Sequence, residues 1–301
     1  MVKVILIWQN EVGFQVYERV MMKNLYCLVL LFISLLAHSS NKQEEINLPG
    51  FKYLPSIENT RYFLHHSNIL NHDYHIYVRL PKGYDENSTK KYPTVYLLDG
   101  GTTFPMLASY YQYLSFAEEL PEIIIVGISY GTDDFKKGNV RSTDFTAPSE
   151  ERAHYGGASA FQNMLKNELF SRIENTFPSD SKRRIIFGQS LGGQFVIYNA
   201  LSQPENFWGH IASNPALHRN LDFFLNTEIK GLSQTKLFVS RAQNNGSRFK
   251  VPEQKWLSFW HAKTDKHFEL KDNIVRNHNH FSVAPDSFRN GLLWLFDTSG
   301  E

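Results

Sequence analysis

The chain has 301 residues, of which 42% are hydrophobic and 20% are charged, and its formal net charge is +1. This length and apolar content suit one globular domain with a large core, or two small ones. The near-neutral charge gives no basic surface of the kind that nucleic-acid-binding proteins carry. A single cysteine, Cys27, excludes an internal disulfide and a cysteine-based metal cluster.

The N-terminal segment has the pattern of an export signal. Lys23 precedes an apolar run of 13 residues that ends at Ala37. Ala37 and Ser39 place small residues at the two positions that a signal peptidase reads. The apolar run is short for a spanning helix, although an uncleaved N-terminal membrane anchor is the alternative. We therefore expect the protein to be periplasmic or secreted, with translation starting at Met21 or Met22.

These signals divide the chain into four predicted segments. They are an upstream mis-start over residues 1–20, a signal peptide over 21–39, a linker over 40–58 and a folded domain over 59–298.

Strand and helix patterns alternate along the folded domain. The predicted strands are Tyr74–Leu80, Thr94–Leu98, Ile123–Ile128, Arg184–Phe187, His210–Ala212, Lys236–Ser240 and Phe268–Val275. The predicted helices are Ala160–Phe177, Pro252–Ala262, which has the proline in its first turn, and Ser287–Phe296, and a helical spacing also connects Met106, Tyr110, Tyr111 and Leu114 as core residues. Short, fully apolar strands between helices predict a mostly parallel α/β sheet covered on both faces, with the functional site at the carboxyl ends of the strands.

A long polar segment without apolar periodicity runs from residue 130 to 159. Loops of this length are uncommon in compact domains and often line a site. We predict that Arg141, Tyr155 and Gly156 in this segment contact the substrate, and a disordered surface excursion is the alternative.

The pentapeptide Gly188-Gln189-Ser190-Leu191-Gly192 lies between a predicted strand and a predicted helix. A serine on such a sharp turn is raised above the sheet, beside the unpaired N–H groups of a helix N-terminus. Glycines two residues away on either side fit a strained turn, where larger side chains would collide. The pattern predicts that Ser190 is a catalytic nucleophile.

The backbone N–H of Leu191, directly after this serine, is the predicted first donor of an oxyanion hole. Two backbone donors are needed where negative charge develops. The second is expected after the Thr94–Leu98 strand, from Gly100 or Gly101, where the missing side chains allow close approach. A simple turn would also explain these glycines.

A serine nucleophile needs a base, which in this architecture is a histidine after the last strand. His280 stands in that position, and His278 is the near competitor. The acid is harder to place, because no carboxylate follows the Lys236–Ser240 strand directly. A Ser–His pair, with or without help from an amide, is the first interpretation.

Glu253 is the alternative acid, although its place after Pro252 also fits a charge at a helix N-terminus. Asp265 and Asp272 come later in the chain and are expected to be solvated.

Together these stretches resemble the putative esterase family of α/β-hydrolases, which includes esterase D-like enzymes and siderophore esterases of the enterochelin type. The resemblance extends over roughly residues 60–297 and is carried by Tyr92–Gly100, Arg141 with Asp144–Pro148, Gly156–Phe161, Glu168-Leu169, Arg183–Gly193, Ile211–Leu217, His280–Val283 and Gly291-Leu292. It implies an α/β-hydrolase fold without a large cap domain, and serine ester hydrolysis by Ser190 and His280. Some members are thought to work without an essential acid, which would suit the missing carboxylate here.

The sequence therefore predicts an exported serine carboxylesterase that forms an acyl-enzyme and acts on a siderophore lactone or on a polysaccharide or aryl ester. An acyltransferase, or a catalytically silent binding protein on the same fold, is the alternative. No metal or organic cofactor is expected, and the expected partner is a small or oligomeric ester. No nucleic acid, and no stable membrane partner beyond export, is expected.

Overall fold

The computed structural model describes residues 54–117, 120–227, 235–264, 266 and 268–297. The predicted mis-start, the signal peptide, most of the linker and Asp265 lie outside these residues. No helix in the described ranges is long and apolar enough to cross a membrane.

The described residues contain one sheet of eight strands in the order β1-β2-β4-β3-β5-β6-β7-β8. The strands are β1 (Thr60–Ser67), β2 (His72–Arg79), β3 (Tyr92–Leu97), β4 (Ile124–Ser129), β5 (Ser179–Gln189), β6 (Gly209–Ser213), β7 (Thr235–Ala242) and β8 (Phe268–Val275). The pairs β1–β2 and β2–β4 are antiparallel, and the remaining pairs are parallel. The carboxyl ends of β3 and of β5 to β8 therefore meet at one edge, where the site lies.

Helices cover this sheet. They are α1 (Gly100–Leu114), α2 (Arg141–Asp144), α3 (Ala158–Met164), α4 (Phe170–Thr176), α5 (Leu191–Ser202), α6 (Leu221–Asn226), α7 (Ser247–Ala262) and α8 (Ala284–Phe296). One π-helical turn, Leu165–Leu169, joins α3 to α4, so the helix predicted over Ala160–Phe177 is continuous but wider in its middle.

The core has two layers because side chains alternate across the strands. Along β3, Val95 belongs to a cluster with Phe104 of α1 and Phe288 of α8. Tyr96, its neighbour, belongs to a cluster on the other face with Phe161 of α3. Both faces of the sheet are covered, and the prediction of an α/β-hydrolase fold with a mostly parallel sheet is confirmed.

The structure differs from the predictions at β1 and at α7, among other elements. Strand β1 was not predicted, and its burial comes from antiparallel pairing with β2 at the edge of the sheet. Helix α7 begins at Ser247, and Pro252 is therefore inside the helix. Glu253 is thus not a charge at a helix N-terminus, because it lies in the second turn and is only 1% exposed.

The segment over residues 130–159 is anchored by a buried carboxyl group. The hydroxyls of Tyr74 and Tyr130 donate to Asp144 at 2.8 and 3.0 Å. Burial raises the pKa of Asp144 to about 6, although the two hydroxyls lower it in part. This contact ties α2 to the sheet and holds the segment over the carboxyl edge.

Candidate active site

Ser190 lies between β5 and α5 with a strained backbone, at φ 59° and ψ −113°. Its N–H donates to the carbonyl of Ser213 at 3.0 Å, and its own carbonyl accepts from the N–H groups of Gln194 and Ala216, each at 2.9 Å. Three backbone hydrogen bonds therefore offset a conformation that a non-glycine residue rarely adopts. The turn points the serine side chain away from the sheet.

The glycine at position 188 is required by the same turn. A Cβ added to Gly188 would lie 2.3 Å from the backbone carbonyl carbon and oxygen of Gly192. The first turn of α5 thus packs directly on the end of β5. This close approach is the physical reason for the glycine spacing around Ser190.

Ser190 and His280 are in direct contact, with 2.9 Å between Ser190 Oγ and His280 Nε2. His280 follows β8 and is 8% exposed. The side-chain amide of Gln189 donates to the His280 carbonyl, and its oxygen accepts from the Ser213 hydroxyl. The residue before the serine therefore positions the loop that carries the histidine.

The other imidazole nitrogen meets an amide. Asn214 Nδ2 lies 3.0 Å from His280 Nδ1. Asn214 directly follows β6, the strand beside β5, and its backbone is left-handed at φ 45°. In the part of the chain that the structure describes, no carboxylate is hydrogen-bonded to His280.

The orientation of the Asn214 amide is set by its oxygen. Oδ1 accepts from the backbone N–H of Ala242 and from Asn245 Nδ2, both at 3.1 Å. A backbone N–H can only donate, so Oδ1 must face Ala242 and Nδ2 must face the imidazole. The neutral ring that fits this donor carries its proton on Nε2 and directs it at Ser190. In this resting arrangement the histidine cannot accept the serine proton.

Glu253, the candidate acid, does not contact His280. Its Oε2 accepts from Asn245 Nδ2 at 3.4 Å, so it reaches the imidazole only through two amides, those of Asn245 and Asn214. Burial raises the pKa of Glu253 to about 8, which leaves the carboxyl protonated at neutral pH. The geometry does not fit the interpretation of Glu253 as an ionised triad acid.

Replacement of Glu253 by glutamine is expected to lower kcat/KM less than about tenfold, or ~1.4 kcal/mol. Glutamine is close in shape to the protonated carboxyl that is present at pH 7. The pH dependence of stability should change more than the activity. Because the pKa of Glu253 is higher in the folded than in the unfolded protein, the wild type loses stability as the pH rises from about 5 to above 8. Thermal unfolding from pH 5 to pH 9 should show a flatter pH dependence for Glu253→Gln. A kcat/KM loss near 10⁴-fold in a folded variant would restore Glu253 as a triad acid.

His280 is less basic than a free histidine. Burial lowers the pKa of its imidazole to about 4. The ring therefore stays neutral down to about that pH, which is the state that a general base needs.

The pH dependence of kcat/KM should show this shift directly. We expect an acid limb near pH 4 and full activity at pH 5.5, where an unperturbed histidine with a pKa of about 6.5 would be mostly protonated. Steady-state hydrolysis of a soluble ester between pH 3.5 and 8, with circular dichroism as the folding control, measures it. An acid limb near 6.5 would contradict the expectation.

The predicted oxyanion donors lie around Ser190. Leu191 is the first residue of α5, so its N–H has no acceptor within the helix. Gly101 in the first turn of α1 lines the same cavity as Ser190. Gly100 is buried behind it, and a Cβ there would meet the backbone nitrogen of Ile128 at 2.5 Å. Among the two glycines, Gly101 is the one that faces the cavity.

Arg141 lines this cavity, but its guanidinium is engaged. Nε and Nη2 donate to the two carboxylate oxygens of Asp99 at 2.6 and 2.8 Å. Asp99 directly precedes α1 in a left-handed conformation, and its carbonyl accepts from the N–H groups of Thr102 and Thr103. The bidentate pair therefore ties the segment over residues 130–159 to the N-terminus of α1, which carries Gly101.

Two cavities lie at this edge of the sheet, and Ser190 lines one of them. One, of about 350 Å³, is lined by Ser190, His280, Asp99, Arg141 and the exposed ring of Phe281, among others. The second, of about 440 Å³, lies beyond Leu191 and includes Tyr155, Arg152 and Arg219 in its lining.

Gly156, the predicted substrate contact next to Tyr155, adopts a backbone conformation that favours glycine. Its φ is +116°, and its N–H donates to Thr146 Oγ1 at 3.1 Å. Tyr155, by contrast, lines the second cavity directly.

The side chain of His278 contacts Asp286 and Ser282 and not the catalytic pair. Its Nε2 lies 2.7 Å from an oxygen of Asp286, and its Nδ1 lies 2.9 Å from the Ser282 carbonyl. Asp272 pairs with Arg241 at 2.8 Å on the neighbouring strand. Neither residue contacts Ser190 or His280. Across the described residues, no group of three His, Cys, Asp or Glu side chains could hold a metal ion.

The sequence allowed for an amide beside the histidine but did not identify Asn214, or Asn245 as its partner. A carboxylate was expected after β7, whereas the residue at His280 Nδ1 is an amide that follows β6. A polar residue at the carboxyl end of the strand next to the nucleophile, followed by Pro215, was the available signal.

The fold and the contact between Ser190 and His280 define an α/β-hydrolase. The sequence model of the Putative esterase family matches residues 67–286. This chain belongs to that family.

Several relatives are siderophore esterases by name. The chain is 31% identical over 195 residues to the ferri-bacillibactin esterase BesA of Bacillus subtilis, a stretch that covers 60% of this chain and 64% of that protein. This chain thus matches slightly less than two thirds of that relative's length. The crystal structure of the BES protein from Bacillus cereus superimposes with a TM-score of 0.66 at 25% identity, over 79% of this chain and 94% of that one. The enterobactin and salmochelin hydrolase IroE gives a TM-score of 0.62 at 25% identity, over 80% and 95%.

Proposed function

We propose that this protein is a serine carboxylesterase that cleaves ester bonds of a siderophore or a similar small molecule. The observation that carries the proposal is the 2.9 Å contact between His280 Nε2 and Ser190 Oγ at a strained strand-to-helix turn. Family membership and the names of the relatives support the same reaction. Export is proposed from the N-terminal sequence pattern, and the mass of the mature N-terminus in the native host tests it.

The reaction proceeds through an acyl-enzyme. Ser190 Oγ forms a bond to the ester carbonyl carbon while its proton moves to His280 Nε2, and the carbonyl oxygen becomes an oxyanion near Leu191 and Gly101. Collapse breaks the bond to the alkoxy oxygen, which takes the proton from Nε2. Water then repeats the sequence and releases the acid with Ser190 restored.

The first step needs the imidazole proton on Nδ1. We propose that the Asn214 carboxamide rotates for this step, so that Oδ1 accepts from Nδ1–H. The ring changes tautomer with it, because Nδ1 takes a proton from water and Nε2 releases its proton to water in the cavity. This rotation of the amide breaks the hydrogen bonds that Ala242 and Asn245 donate to Asn214 Oδ1. It costs about 1–3 kcal/mol, because a buried polar group is left unpaired. The amide therefore supports turnover less well than a carboxylate would.

A catalytically silent binding protein is the second candidate, and the donor at His280 Nδ1 is the observation that favours it. A fluorophosphonate probe separates the two, because only an activated serine reacts with it. We expect labelling at Ser190, located by peptide mass spectrometry, and none in Ser190→Ala. An unlabelled, folded wild-type protein would support the binding protein instead.

An acyltransferase would use the same acyl-enzyme with an alcohol in place of water. Product analysis with an added acceptor alcohol distinguishes them. A carboxylic acid as the main product supports the esterase, and a new ester supports the transferase.

A further inference from the structure

The catalytic imidazole is covered by an aromatic ring. The ring centroids of Phe249 and His280 are 3.9 Å apart, and the ring planes differ by 24°. Phe249 lies in the first turn of α7, where its N–H donates to the Gly246 carbonyl at 3.0 Å. Phe249 is partly buried, so the helix presents a fixed ring face to the imidazole.

This stack places the imidazole over the negative face of the Phe249 ring, where a charged imidazole would be attracted. Two neutral aromatic rings prefer an offset or edge-to-face arrangement, because their negative faces repel each other in a direct stack. A cation within about 6 Å of a ring centroid is instead attracted to the negative face. Phe281, the other aromatic neighbour of His280, is 5.4 Å away at 87° and does not stack.

We propose that the ring face of Phe249 stabilises the imidazolium form of His280, and so takes over part of the role of a triad carboxylate. This proposal rests on the proposed esterase function. The imidazolium exists while His280 holds a proton, which comes from Ser190 in the first half of the reaction and from the attacking water in the second. Asn214 cannot stabilise that charge as an ion could, whereas the π-face of Phe249 is in place throughout the reaction. Phe249 is a positioning residue, because it acts on the substrate through His280.

Among the described residues, the other charged and titratable groups around the stack do not supply an unpaired negative charge that could stabilise the His280 imidazolium. On the far side of Phe249, the imidazole of His218 packs edge-on at 4.7 Å. Burial and the nearby Arg248 and Arg219 lower the pKa of His218 to about 4, so it is neutral at pH 7. The guanidinium of Arg248 lies 5.8 Å from the centroid of the Phe249 ring. Across the cavity, Asp99 is neutralised by Arg141.

The test compares Phe249→Leu with a variant that carries a trifluorophenylalanine at position 249. Leucine keeps the site dry but removes the π-face, and fluorination weakens the negative face while it keeps the ring shape. The His280 pKa is read by NMR titration of the imidazole signals, with His280→Gln to assign them. We expect the His280 pKa to fall by about half a unit to one and a half units in both variants. We also expect kcat/KM to fall by about 3- to 30-fold, with Phe249→Trp restoring both values.

A His280 pKa that is unchanged or raised in both variants would overturn the proposal, even if activity fell through lost packing. Phe281→Leu is the control for the titration, because that ring does not stack, and it should leave the His280 pKa unchanged. The titration needs no turnover. If wild-type protein hydrolyses no ester and does not react with the fluorophosphonate, the esterase proposal fails. The proposal for Phe249 is decided independently, by the titration of His280.

Discussion

Replacement of Ser190 by alanine is expected to lower kcat for ester hydrolysis by at least ~10³-fold and to leave the fold intact. The change removes the only atom that attacks the substrate. The three backbone hydrogen bonds that hold the turn do not involve the side chain, so the elbow should remain. Steady-state kinetics with an aryl ester measures the loss, and thermal unfolding serves as the folding control.

The matched control is His278→Ala. This histidine lies two residues from the base but pairs with Asp286, so its loss should change kcat only slightly. His280→Ala should be nearly as severe as Ser190→Ala, because the two residues act as a unit. Ser190→Ala protein that keeps most of its activity would refute the nucleophile assignment.

Replacement of Asn214 by aspartate is expected to raise kcat/KM by at least about tenfold, with an upper bound near the ~10⁴-fold that separates a triad aspartate from asparagine in a serine protease. Ala242 N–H and Asn245 Nδ2 would still donate to one carboxylate oxygen, and the other would accept from His280 Nδ1–H. These donors keep the buried carboxyl ionised. The proton is then held on Nδ1, and Nε2 is free to accept from Ser190.

The pH profile identifies the cause of such a gain. A carboxylate beside the imidazole favours its charged form, so the acid limb of kcat/KM should move above the wild-type value of about 4. Asn214→Ala is the control, because it removes the amide without adding charge and should lower activity. An Asn214→Asp protein that folds normally and shows neither gain nor shift would contradict the orientation derived for the Asn214 amide.

Local patterns were enough to predict the fold class and the contact between Ser190 and its base. Fully apolar strands must be covered on both faces, and the glycines around Ser190 reflect a backbone clash within five residues of chain. His280 follows from chain order, since the last parallel strand ends beside the elbow. The catalytic roles of these residues stay predictions until the variants are measured.

The tertiary structure decided how the histidine is held. Asn214 and His280 are 66 residues apart, and their contact depends on how neighbouring strands end at a shared edge. The amide faces the ring with its nitrogen only because Ala242, at the end of β7, presents a backbone N–H to its oxygen. The sequence also fitted Glu253 as a charge at a helix N-terminus. In the structure α7 begins six residues before it, at Ser247, and Glu253 is buried. Such contacts arise from strand register and helix packing between distant segments, so a local pattern can at most mark Asn214 as a polar residue at a strand end and cannot show what it contacts.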